Sequence, residues 1–179
     1  MNKYDLIQAM TENHQRFSNY INILTESEYL YALPEKWSAG QQLDHIIRST
    51  KPLILAVRLP RFALKLKFGK ANRSSMSFEE LVTKYETKLA EGAKATGSFI
   101  PPKIGFDKKD ALLKELLSII EKINTGIEHF SEEDLDKCLL PHPLLGKITF
   151  REMLYFTINH VDHHHYIMDK AIQESPLNN

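Results

Sequence analysis

The sequence predicts an all-α protein in which four main helices form a bundle and shorter helices are added to it. Apolar residues recur at alternating intervals of three and four over several long stretches, which is typical of helices packed along one face. No window shows the sustained period-two alternation of a strand. We therefore expect one helical domain that spans residues 1–179.

The first two helices can be placed from their apolar spacing and from the residues that flank them. The first follows an apolar seam from Leu6 to Leu24. Ser38 is suited to cap the second helix, because its hydroxyl can accept a backbone N–H of the first turn. Pro52 and Pro60 predict a kink or an end in this second helix, since proline lacks the N–H that an interior position needs.

The remaining helices are placed by capping patterns. Ser77 and Thr149 are each followed three positions later by a glutamate, a capping-box pattern that predicts a helix start at each place. Asp107 is expected to cap the fourth main helix. The proline-rich stretch 140–146 predicts a loop, and the last long helix should then run to about Glu174.

Composition argues against several classes of protein. The 23 basic and 23 acidic residues cancel, so net charge gives no reason to expect a nucleic-acid partner. The N-terminus has no apolar run of signal-peptide type, which predicts a cytoplasmic protein. Cys138 is the only cysteine, so neither an intrachain disulfide nor a Cys-rich zinc module can form. Ligands of a bound metal would have to be histidines and carboxylates.

The last long helix carries four histidines within six positions, and two of them are spaced as metal ligands. His160 and His164 lie on the predicted buried stripe, one turn apart. Four residues advance a helix by about 6 Å, whereas two nitrogens on one tetrahedral zinc lie roughly 3.3 Å apart. Tilted imidazoles close this gap, as in the helical zinc-protease motif, although the glutamate of that motif is absent here.

Periodicity alone leaves two interpretations of these histidines open: a metal-binding pair, or ordinary core and surface residues. His45 on the second helix lies away from the apolar stripe, which makes it a candidate third ligand. His14 lies on the seam of the first helix and is more typical of a hydrogen-bonded core histidine. His163 and His165 flank His164 in the sequence and are weaker candidates than the pair.

Two paired motifs resemble the signatures of the DinB-like superfamily. Their order and separation match that family over nearly the whole chain. The motifs are Lys36-Trp37-Ser38 followed by Leu43-Asp44-His45, and His142-Pro143-x-x-Gly146-x-x-Thr149 followed by His160-x-x-x-His164. The resemblance implies a four-helix bundle of DinB-like type that holds a divalent metal ion, with zinc or nickel expected, through His45, His160 and His164.

The resemblance also implies a class of reaction. DinB-like enzymes include S-transferases that use a low-molecular-weight thiol, so we expect a metal-activated thiol to attack a small-molecule electrophile. Metal-assisted hydrolysis and a non-catalytic, stress-associated metal-binding bundle remain as alternatives, and a homodimer is possible. The sequence departs from the common pattern at Gln41, His163 and Ile167, next to the proposed ligands. Because these departures lie beside the proposed ligands and not on them, the resemblance implies the ligand set of the family but does not imply a particular substrate.

The segment 51–73 is strongly basic and contains no acidic residue. Its lysines and arginines alternate with apolar residues, which is typical of an amphipathic surface element. Two interpretations remain open: weak contact with an anionic surface, or a solvated helix face whose apolar side packs inward. We expect the segment to be peripheral to the metal site, because it contains no residue of a metal-binding type.

Overall fold

The computed structural model describes residues 1–176, and most of this range is helical. The end of the domain expected over 1–179 therefore lies outside the described residues. None of the helices in this range has both the length and the apolar character needed to cross a membrane. The elements are α1 Lys3–Ile23, α2 Glu26–Leu30, α3 Ala39–Arg58, α4 Arg61–Phe68, α5 Phe78–Ala90, α6 Lys109–Glu128, α7 Glu132–Lys137, β1 Leu139–His142, β2 Gly146–Thr149 and α8 Phe150–Gln173.

Four long helices form the bundle that the sequence predicts. Helix α3 packs against α6, α6 against α1, α1 against α8 and α8 against α3, which closes a ring. Fully buried side chains such as Phe17, Leu43 and Val161 belong to the core between them. A Cβ at Gly126 would lie 2.4 Å from that of Val57, so α3 and α6 approach closely at this glycine. The fold class is therefore confirmed.

Helix starts agree with the capping patterns at three of the four expected positions. Ser38, Ser77 and Thr149 each cap a helix, and each forms a capping box with the residue three positions later. The prediction that Asp107 caps α6 is wrong. The chain enters α6 through a turn of 3₁₀ helix over Phe106–Lys108, and the backbone bonds of that turn take the place of a side-chain cap.

The loop predicted over 140–146 is in fact most of a β-hairpin. Strands β1 and β2 pair antiparallel, from Leu139 opposite Thr149 to His142 opposite Gly146. Each strand has only four residues, so the alternation that marks a strand is too short to stand out beside two prolines. Pro52 lies inside α3 without ending it, and the helix stops at Arg58, before Pro60.

Much of the basic segment 51–73 is fixed to the rest of the bundle by ion pairs. The guanidinium of Arg61 also lies 3.4 Å from the centre of the Phe130 ring and donates to the carbonyl oxygen of His129. These side chains therefore hold α3, α4 and the following loop against α6, α7 and α8. The ion pairs join Lys51 with Glu115, Lys65 with Asp134, and Arg73 with Glu152.

Candidate metal centre

Three histidines from two helices meet inside the bundle. His45 projects from α3, and His160 and His164 project from successive turns of α8. All three are at least 93% buried. The Nε2 atom of His160 lies 3.3 Å from that of His45 and 3.0 Å from that of His164. The structure thus brings together the three residues that the family resemblance implies, and their ligand atoms all lie within 4.8 Å of one another.

Hydrogen bonds fix the tautomers of two of these histidines. His45 Nδ1 lies 2.7 Å from the carbonyl oxygen of Phe99, which only accepts, so Nδ1 carries the proton. His164 Nδ1 donates in the same way to the side-chain oxygen of Gln42. The Nε2 atoms of His45 and His164 consequently present lone pairs to His160. Metal-binding histidines usually have such a partner on the other ring nitrogen.

This arrangement fits a divalent cation better than it fits hydrogen bonding alone. His160 Nε2 can carry one proton at most, so at most one of its two short contacts can be a well-formed hydrogen bond, and at least one of the lone pairs of His45 and His164 has no proton to accept. The two distances are close to the roughly 3.3 Å between nitrogens on one tetrahedral zinc. Burial, reinforced by the neighbouring imidazoles, holds the pKa of His160 and of His164 well below 6.5. The neutral form that binds a metal is therefore favoured.

Aromatic rings surround the histidine cluster. The Trp37 ring lies 4.9 Å from that of His45 and stacks at 6.3 Å on that of His164. Phe156 stacks on His160 at 4.6 Å, and Tyr85 meets His160 edge-on. These rings limit the movement of the imidazoles and reduce the access of water, which strengthens electrostatic interactions at the site.

A cavity of about 360 Å³ opens beside the three histidines. It lies between α3, α5, α8 and the hairpin, and its walls are mostly aliphatic and aromatic. His142 also lines it. The Nδ1 atom of His142 accepts the backbone N–H groups of Leu144 and Leu145, both at 3.1 Å, so its proton lies on Nε2. The site therefore combines a ligand cluster with a space that a small molecule can occupy.

The other candidate histidines lie in different surroundings. His14 donates from Nδ1 to the carbonyl oxygen of Met10 and is fully buried, as expected for a hydrogen-bonded core residue. His165 packs between Phe17 and Tyr20. His163 lines the cavity beside the cluster, but its ring nitrogens are not among the ligand atoms that converge there.

Sequence reasoning missed the groups that orient the ligands. Gln42, which orients His164, could have been found, because a polar residue on the buried side of a helix is a usable signal. The carbonyl oxygen of Phe99 has no sequence signature, because any residue supplies one. Gln41, one of the departures from the family pattern, accepts the backbone N–H of Ser38 as part of a capping box.

Comparison with known proteins identifies the family of the chain. The family profile described as the DinB superfamily matches residues 9–168, which cover both motifs, the greater part of all four bundle helices and the three convergent histidines. No curated protein matches the chain. The profile match extends over most of the sequence, and the helical architecture and the buried histidine cluster agree with it. The chain belongs to the DinB superfamily.

Proposed function

We propose that the protein is a metal-dependent S-transferase in which His45, His160 and His164 hold a divalent ion, zinc or nickel. The observation that carries the proposal is the position of the three Nε2 atoms at the wall of a cavity. A structural or storage site tends to be enclosed by its ligands, whereas a catalytic site keeps one position open. An open position facing a mostly apolar cavity suits a small-molecule substrate.

Three neutral imidazoles leave the ion its full double positive charge, so a bound ion supplies Lewis acidity and lowers the pKa of a thiol or water in its open position. The protein supplies the arrangement around it. Phe99 and Gln42 keep the protons of His45 and His164 on Nδ1, away from the ion. The walls of the cavity hold an electrophile beside the cluster and exclude competing water.

One observation favours thiol transfer over hydrolysis, and a second concerns the source of the thiol. Within residues 1–176, the side chains that line the cavity include no aspartate or glutamate to act as the general base of a metal hydrolase. Cys138, the only thiol of the chain, is fully buried and hydrogen-bonded into the backbone beside the hairpin, and burial raises the pKa of this thiol. The nucleophilic thiol is therefore expected to come from a second substrate.

The test combines metal analysis with turnover. The protein is purified without a histidine tag, its metal content is measured, and a panel of electrophiles is assayed with low-molecular-weight thiols. His160→Ala should lose both metal and activity, whereas Cys138→Ala should retain both. Full activity in metal-free His160→Ala, or loss of activity in metal-loaded Cys138→Ala, would eliminate the proposed mechanism. Hydrolysis of ester or amide substrates without thiol would support the hydrolase instead.

A further inference from the structure

The cavity is elongated, and the histidines occupy only one end of it. Its lining follows α3 from His45 to Leu59, the residue after the end of this helix, and α8 from His164 back to Met153. At 1.5 Å per residue these stretches correspond to about 21 Å and about 16 Å. Helix α4 adds Lys67 and Phe68 beyond the last turn of α3. The space is therefore a channel that leads away from the cluster rather than a shell around it.

The middle of the channel offers little to a polar ligand. Three hydroxyl residues line it there, but each hydroxyl already donates to a carbonyl oxygen of its own helix at 2.8 Å. Ser49 donates to His45, Thr50 to Ile46, and Thr157 to Met153. The rest of this wall is aliphatic or aromatic, with members such as Leu53 and Ala56. An occupant of the middle section must consequently be apolar, since a polar group there would lose its hydration without a new partner.

Charge is confined to the rim and has one sign. Lys67 and Lys94 are the only lysines or arginines among the lining residues, and no described lining residue is acidic. Neither lysine has a carboxylate within ion-pair distance in the part of the chain that the structure describes. Other lysines of the same segment, such as Lys51 and Lys65, are paired. An ammonium group without a carboxylate partner at the end of an apolar channel is suited to bind an anion.

From this we propose that the channel binds an elongated apolar molecule with one anionic group, whose apolar body lies between α3 and α8 and whose anion pairs with Lys67. This inference concerns the class of substrate that the candidate metal centre takes. It rests on the proposed function only where it places the reacting end of the bound molecule at the histidines. Binding itself requires no turnover and no metal, so the two proposals can fail separately.

The experiment titrates straight-chain alkyl carboxylates of six to fourteen carbons into the full-length protein by calorimetry, with and without removal of metal by a chelator. Each added methylene should tighten binding about fourfold until the channel is filled. The matched alcohols should bind more weakly but with the same dependence on length. Affinity that does not depend on length would overturn the apolar channel, and equal affinity of acid and alcohol would overturn the anion site.

Variants locate the two ends of the ligand. Ala56→Phe should fill the middle of the channel and weaken binding of the longer chains by at least tenfold, while metal content stays unchanged. Lys67→Gln should weaken the carboxylates about tenfold and leave the alcohols unaffected. Lys122→Gln, an exposed lysine on α6, is the matched control and should bind as the unchanged protein does. An effect of Lys94→Gln in place of Lys67→Gln would place the anion beside α5 and overturn the assignment.

Discussion

The Nε2 atom of His45 lies 3.3 Å from that of His160, although 115 positions separate the two residues in the sequence. The pairing of α3 with α8 creates this contact, so the candidate site depends on tertiary packing and cannot form on α8 alone. The other contact, between His160 and His164, is local and needs only one turn of helix.

His45→Ala should greatly reduce metal content while the protein remains folded, because the apolar core, and not a metal, supplies most of the stability of the helices. Metal analysis and circular dichroism on the same sample provide the measurement. His165→Ala is the matched control, since its ring packs between Phe17 and Tyr20. Loss of metal from the control, or its retention in His45→Ala, would contradict the three-histidine site.

Gln42→Leu should weaken metal binding by roughly 10- to 100-fold, the usual effect of removing the partner of a histidine ligand. The side-chain oxygen of Gln42 holds the His164 proton on Nδ1, and leucine cannot do so. The affinity is measured by competition with a chromophoric chelator. Gln41→Leu serves as control: it removes the Gln41 half of the capping box at the start of α3, so it should lower the melting temperature and leave metal affinity unchanged.

Arg73→Ala should destabilise the protein by about 2 kcal/mol, below the range for breaking a buried ion pair because Arg73 is partly exposed. Its partner Glu152 is fully buried and also accepts the backbone N–H groups of Met76 and Thr149. Denaturant unfolding at neutral pH measures the change. Lys70→Ala, an exposed neighbour of Arg73, should change stability by less than about 0.5 kcal/mol.

The same carboxylate should contribute to acid sensitivity. Burial acts to raise the pKa of Glu152, but hydrogen bonds from Arg73, Met76 and Thr149 outweigh it and hold this pKa below the ordinary 4.5. Its stabilisation is therefore complete above pH 4.5 and is lost as the pH falls through the lower folded-state pKa. Glu152→Gln should lose stability less steeply in this acid range, although it is less stable at pH 7. If the free energy of unfolding of Glu152→Gln depended on pH as steeply as that of the unchanged protein, this role of Glu152 would be contradicted.

Joint replacement of Arg61, Lys65 and Lys67 by glutamine should leave metal content unchanged, because none of them contacts the three histidines. Stability should fall, since Arg61 and Lys65 hold α4 against the end of α6 and against α7. Metal analysis and thermal unfolding separate the two effects. Metal loss from a folded triple variant would show that the basic segment does contribute to metal binding.

Tryptophan fluorescence should report metal binding directly. Trp37 is the only tryptophan of the chain, and its ring stacks on that of His164. Titration with zinc should change its emission with a one-to-one end point, and His164→Ala should abolish the change. A zinc response that persists in this variant would show that the ion binds elsewhere.

The parts of the fold that follow from local rules could be predicted from the sequence. Thr149 caps α8 as expected, and the helix ends at Gln173, one residue before the expected end. The hairpin could not be predicted, because its strands are held by pairing with each other over only four residues and contain Pro141. Asp107 illustrates the limit of capping patterns, since a side chain suited to cap a helix is not used when a 3₁₀ turn precedes it.

The candidate site, like the fold, could be predicted from the sequence only in part. Spacing on one helix indicated His160 and His164. The position of His45 off the apolar stripe made it only a candidate, and the resemblance to the family was needed to join it to that pair, because no local pattern marks a contact between distant helices. The channel was not foreseen at all. Residues of the basic segment such as Leu53 and Ala56 form part of its wall, so this segment is closer to the site than its lack of metal-binding side chains suggested.

The hydrogen bond from His45 to Phe99 has a consequence for the kinetics of metal exchange. Phe99 ends a single turn of 3₁₀ helix over Gly97–Phe99, outside the four bundle helices, and Gly97 adopts a positive φ of 57° there. Opening of such a short segment requires far less free energy than global unfolding. The release of a bound ion would therefore be expected to follow local opening of this turn rather than global unfolding of the bundle.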